Sequence, residues 1–168
     1  MNCKILLHSL FIFSIFFAAC STGEKEPDCK YGSPVAMFSD SIPGVVQHTF
    51  SVDGQDGTES VQLERGLKIE VLQSGCDKIR QEFRFNIQES LPDTTNWIET
   101  SGNLFISISG LDPNLAPLAN WGTAIQQFAS ELKLGESKQV GEGFYIKIDR
   151  IKQGQNNLLI AVLSETDD

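Results

Sequence analysis

From Gln47 to Gln88 apolar and polar side chains alternate with a period of two. In "QHTFSVD", His48, Phe50 and Val52 share one parity, and that period is the mark of a half-buried strand. "GQDG" follows as a turn, with Asp56-Gly57 as the hairpin dipeptide. In "ESVQLERGLKIEVLQSG", Val61 and Leu63 share a face before a turn, and Leu67, Ile69 and Val71 share one after it. A two-residue turn at Arg65-Gly66 would pair Leu63 with Lys68 and mix the faces. A three-residue loop, Glu64-Arg65-Gly66, pairs Leu63 with Leu67 and Val61 with Ile69, and Gly66 supplies the left-handed residue such a loop ends on. A fourth strand, "KIRQEFRFNIQ", sets Ile79, Phe83, Phe85 and Ile87 against Arg80, Glu82, Arg84 and Asn86.

The period then changes. Trp97, Ile98, Ser101, Leu104, Phe105 and Ile108 form a helical stripe, with Asn96 and Glu99 as a capping box and Gly110 as a stop. Gly102 disfavours a helix, and "LFISIS" also fits a strand; the helical reading accounts for more of the stripe. Leu118, Trp121, Ile125, Phe128 and Leu132 predict a second helix, with Pro117 in its first turn and Gly135 just past its end. Three strands close the chain: "ESKQVGE", "FYIKIDRI" and, after a turn at "GQNN", "LLIAVL"; "SETDD" is an acidic tail.

Four strands, two helices and three strands on short turns predict an α+β fold of order ββββααβββ, an antiparallel sheet of about seven strands with both helices on one face. Its apolar side takes Phe50, Leu63, Ile69, Phe83, Phe85, Ile146 and Ile148, onto which Trp97, Trp121, Ile125 and Phe128 pack. The other side carries Lys68, Glu70, Arg80, Glu82, Arg84, Lys147 and Asp149. Residues 46–168 make this single domain, and 20–45, with scattered Gly and Pro and no period, read as a flexible tether.

Residues 1–19, "MNCKILLHSLFIFSIFFAA", hold one charge, Lys4, ahead of an apolar run that ends in small residues. That is the pattern of a secretory signal. The run is shorter than the ~20 apolar residues a spanning helix needs, and polar "STGEKEPD" follows without a basic stop-transfer cluster. "FAAC", ending at Cys20, resembles the lipobox of bacterial lipoproteins, although Phe17 stands where Leu is more usual. The resemblance covers only the first 20 residues. It implies cleavage before Cys20, diacylglycerol on its thiol and acyl chains on the mature terminus, two or three of which give stable anchoring. Ser21, rather than Asp, implies the outer membrane of a Gram-negative cell envelope. Ordinary cleavage after Ala19, leaving Cys20 a free or paired thiol, is the alternative.

With Cys20 acylated and Cys3 lost with the signal, Cys29 and Cys76 remain, an even pair in an oxidising compartment. A bridge between them would close a loop of roughly 48 residues, worth on the order of 4 kcal/mol. Neither sits in a C-x-x-C redox spacing.

Loss of Lys4 leaves 12 basic and 22 acidic residues, a net charge of −10. Nucleic acid needs a basic footprint and is not an expected partner. Attachment to an anionic membrane would rest on acyl chains rather than charge, and a basic protein partner fits the balance.

Candidate chemistry is sparse. His48 is the one histidine of the mature chain, and its parity suits a half-buried ring bonded to a neighbour. No Ser lies in a G-x-S-x-G elbow to build a triad on it, and one His with two separated Cys does not make a zinc site. Asp53, Asp56 and Glu59 surround a glycine turn but lack the spacing of a calcium loop. Paired carboxylates for glycosidase work can come from distant positions, and nothing selects a pair here. No phosphate loop or G-x-G-x-x-G is present. No cofactor is expected. The reading is a lipid-anchored envelope protein, a non-catalytic binding or structural module; the alternatives are an inhibitor of a basic enzyme such as a lysozyme, and a hydrolase with an unrecognised site.

Overall fold

The computed structural model describes residues 29–88, 92 and 94–167. The expected signal segment 1–19 and the expected lipidation residue Cys20 lie outside the described residues.

The chain forms β1 (Val45–Asp53), β2 (Asp56–Leu63), β3 (Lys68–Ser74), β4 (Arg80–Ile87), α1 (Trp97–Ser109), α2 (Leu118–Gln127), β5 (Ser137–Gly141), β6 (Phe144–Gln153) and β7 (Asn156–Ser164). All strands join one antiparallel sheet, ordered β1-β2-β3-β4-β7-β6-β5. The first four strands meander outward to inward, the helices carry the chain to the far edge, and β5 to β7 return until β7 docks beside β4. β7 lies inside the sheet, between β4 and β6, and its "LLIAVL" is apolar on both parities.

Turn chemistry fixes the registers. The β2–β3 loop is Glu64–Gly66, with Val61 opposite Ile69 and the Leu63 N–H donating to the Leu67 carbonyl at 2.8 Å. Arg65 joins Gly66 in the left-handed region, at φ 65° and 86°. The first hairpin differs from the sequence expectation. Asp53 pairs with Asp56, so Gly54-Gln55 make the turn, with Gly54 at φ 61°. Gly57 lies inside β2, where a Cβ would come within 2.5 Å of Pro34 Cβ.

One face of the sheet is the core. Val61, Ile69, Val71, Phe83, Phe85, Ile146, Ile148, Leu159, Ala161 and Leu163 are buried on it. Phe105 of α1 stands edge-on to Phe83 and Phe85, at centroid distances of 4.9 and 5.4 Å. Asn96 caps α1, its Oδ1 accepting from the Glu99 N–H at 3.3 Å. Gly102, unfavourable by helix propensity, sits where the helices cross: a Cβ there would meet the Gly122 carbonyl at 3.1 Å, and one on Gly122 would meet the Gly102 carbonyl at 2.7 Å. α2 stops at Gln127, short of the Leu132 that the stripe includes; Leu132 is buried by the turn that follows.

The helices do not cover the whole core face. Over β1, β2 and β3 the cover is an irregular strap, residues 29–44, whose Phe38 and Ile42 belong to the same buried cluster. Part of the segment that sequence reads as tether thus packs as core.

Candidate functional site

The residues with chemical potential gather where the strap meets the sheet. Glu59 has the parity of Val61 and Leu63, so β2 points its carboxylate into the core, where it is 0 % exposed. An ion there needs partners. It has three: the Met37 N–H donates to Oε2 at 3.0 Å, the Phe38 N–H to Oε1 at 2.8 Å, and His48 Nε2 to Oε1 at 2.7 Å. His48 reaches it because β1 pairs His48 with Val61 and Phe50 with Glu59, one step apart on one face. The His48 side chain is 13 % exposed, the half-buried, bonded ring that its parity implies.

A strap without a sheet ladder still has backbone groups to satisfy. Glu59 takes two of its N–H groups, and Gln73 Nε2 donates to the Val35 carbonyl at 2.9 Å. Its outer end is held covalently. Cys29 and Cys76 form a disulfide, with Cα atoms 4.6 Å apart, at the turn between β3 and β4. The Tyr31 N–H donates to the Cys76 carbonyl at 3.2 Å, and the Tyr31 hydroxyl bonds to Glu165. That hydroxyl, outweighing what solvent the carboxyl loses, and then the Ile79 N–H and Lys30 hold Glu165 below the usual carboxylate range.

Asp53 and Asp56 face each other beside the turn while Glu59 points into the core, so the three acids do not converge. Among the described residues, no three His, Cys, Asp or Glu side chains group as a metal-ion set.

The opposite face carries a charged row. Arg84 Nε donates to Glu82 Oε1 at 2.6 Å, Arg84 Nη1 to Glu70 at 3.0 Å, and Arg80 Nη2 to Glu82 Oε2 at 2.9 Å. Glu82 is only 8 % exposed. Burial opposes its ionisation, but Arg84 and Arg80 more than offset that and hold its carboxyl below the usual range.

Among the clefts that indent the described surface, one, about 200 Å³, lies between Tyr31–Val35 of the strap and the β3–β4 turn. Another, about 270 Å³, is lined by Leu67, Ile87, Thr100, Leu104 and Asn86, whose Oδ1 is buried without a hydrogen-bond partner. Neither is lined by His48 or Glu59.

Sequence reading brought out Cys29, Cys76 and His48, and the structure places all three on the strap junction. It missed Glu59 as a core residue. The signal was there: Glu59 falls on the apolar parity of β2. No protein-family model matches the chain, and no curated protein or solved structure matches it.

Proposed function

We propose that this chain is a lipid-anchored cell-envelope protein whose domain binds or supports another component without catalysing a reaction. One observation carries the reading. The side chains best suited to chemistry are committed to holding the strap: Glu59 accepts from three donors, His48 is one of them, and Cys29 is bonded to Cys76. The anchor rests on the lipobox-like "FAAC" and Cys20, with the outer membrane of a Gram-negative envelope as the address.

The test is fatty-acid labelling and membrane fractionation of wild type and Cys20→Ala. Labelling and membrane retention are expected in wild type and lost in the variant; undiminished labelling in Cys20→Ala would remove the anchor. Hydrolytic turnover by purified protein that vanishes in a folded His48→Asn variant would overturn the non-catalytic part.

A basic protein, for instance an enzyme inhibited by docking, is the second reading. No Lys or Arg occurs between Arg84 and Lys133, the stretch that holds both helices. A helical layer without cations suits a basic surface. Salt-sensitive capture of a basic envelope protein, weakened by reversing Glu99 and Asp112, is its expected result.

A further inference from the structure

The two edges of the sheet are built differently. β5 has five residues, a bulge between Gln139 and Gly141, and Lys138. Short length, bulges and lysines are the usual guards of an edge. β1 has nine residues; its own register shift falls at its start, between Val45 and Gln47, and from there to Asp53 the ladder is regular. Between Val45 and Val52 it carries no Lys, Arg, Asp, Glu or Pro. Its single titratable side chain there, His48, turns inward to Glu59. Val46 is 62 % and Val52 47 % exposed. A long, neutral edge with no further strand beside it among the described residues, in a chain of net charge −9, is a template for another strand.

The ladder shows which backbone groups are offered. The Leu63–Leu67 bond sets odd residues of β2 toward β3 and even residues toward β1. Gln62, Ser60 and Thr58 therefore bond Gln47, Thr49 and Ser51. The Asp53–Asp56 pair closing the two-residue turn has the same phase. The N–H and C=O groups of His48, Phe50 and Val52 consequently point away from the sheet.

We infer that β1 pairs antiparallel with β1 of a second copy, about a two-fold axis at Thr49. Thr49 is the midpoint of β1, so this register pairs the regular stretch Gln47–Ser51 with its own copy and brings the irregular Val45–Val46 end opposite Val52–Asp53. It sets His48 opposite Phe50, both with outward-facing backbone groups, and Gln47 opposite Ser51. Exposed Val46 meets exposed Val52. Asp53 falls opposite Val45 and not opposite its own copy, so no like charges meet. Antiparallel pairing within one sheet runs the axis perpendicular to it. Both straps, with their Cys29 ends, then lie on the same face. The guarded β5 edge stops the assembly at two copies instead of a fibre.

A seam one strand wide buries far less than the roughly 1,000 Å² expected of a stable interface. It is weak in dilute solution and gains from confinement on a membrane. That last gain rests on the anchor proposed above; the register does not.

The experiment is oxidative cross-linking of the full mature chain in vesicles, with copper phenanthroline as oxidant. Across this axis Thr49 faces its own copy as a non-hydrogen-bonded pair, with Cα atoms about 4.5 Å apart, within disulfide range. Thr49→Cys should give a covalent dimer. Gln47→Cys and Ser51→Cys should not do so singly, but should link to each other when mixed. Val52→Pro removes an outward N–H and leaves the internal ladder intact. By symmetry it deletes two bonds, and should cut Thr49→Cys cross-linking about tenfold with the circular dichroism unchanged. Cross-linking of Cys20→Ala protein at high concentration would keep the seam even if the anchor fails. A monomeric Thr49→Cys protein in vesicles and in concentrated solution, or equal cross-linking at all three positions, would overturn the proposal.

Discussion

Replacing Glu59 by Gln tests whether a buried carboxylate holds the strap to the sheet. The side chain keeps its size, so packing of Phe38 and Ile42 is not directly altered. What changes is the count of acceptors. Three donors converge on two oxygens, and the amide offers one. Either the Met37 N–H or the pair formed by Phe38 N–H and His48 then faces an NH₂ group. An orphaned buried donor costs about 1–3 kcal/mol, and bonds to a charged acceptor are each worth about 1.5–3 kcal/mol. A destabilisation of about 2–4 kcal/mol is the expected result. Glu59→Ala should cost more, because all three donors lose their acceptor.

Size alone does not separate a clamp from any other core residue. Position does. Burial of Phe38 and Ile42 stabilises docking of the strap by about 1.5–3 kcal/mol each, so loss of the Glu59 bonds is comparable with what remains. The strap should therefore open before the sheet does. Amide hydrogen exchange of mature, oxidised protein is the assay. In Glu59→Gln, Met37 and Phe38 should lose protection by about tenfold or more while β4 and β7 keep theirs, in line with local opening below the global limit. Denaturation with urea supplies the global value. Unchanged stability with unchanged protection at Met37 and Phe38 would refute the clamp. Equal loss at all amides would mean that the strap is no separate unit.

The remaining predictions concern the covalent end of the strap and the charged row. Cys76→Ser should lower stability by about 2–5 kcal/mol and expose the segment before Ser39 to protease, read by thermal melts and non-reducing peptide maps. For Glu82, the carboxyl is held below its ordinary range, so its contribution is present above the unfolded pKa of about 4.3 and lost as pH falls through the folded value. Glu82→Gln should therefore be less stable than wild type by on the order of 1 kcal/mol near neutrality. The two curves should converge as pH falls through the folded value, which lies below the unfolded one; a gap that persists once the carboxyl is protonated in both states would assign the effect to packing instead.

The strands and helices were legible because their periods are long and clean. Phe83 and Phe85 alternate with Arg84 and Glu82, and Trp97 to Ile108 keep one stripe through Gly102. Where reading failed, a tertiary demand had overruled a local rule. Asp56-Gly57 is good turn chemistry, but Gly57 is needed in the strand so that Pro34 can pass over it. The strap has no period because side chains of the sheet, Glu59 and Gln73, satisfy its backbone. Two apolar residues four apart, Phe38 and Ile42, are too few to declare a buried segment. The Cys29–Cys76 bridge was legible for a different reason: once the resemblance to a lipobox assigns Cys20 to lipid and Cys3 to the signal, these two cysteines are the pair that remains.

Stapling the strap has a consequence for reach. On the proposed acylation, eight residues separate Cys20 from Cys29, and at full extension the nine steps span at most about 30 Å. If the strap came away as far as Gly44, fifteen more steps would add about 50 Å. The domain cannot gain that reach cheaply. Release removes Phe38 and Ile42 from the core and takes Met37 and Phe38 from Glu59. It leaves an acid buried among apolar strands with His48 as its partner. On the proposed anchor, distance from the membrane and stability of the fold would therefore be linked through one segment. A variant that loosens the strap should be both less stable and longer in reach, and breaking the disulfide alone should change reach less than breaking it together with the Glu59 clamp.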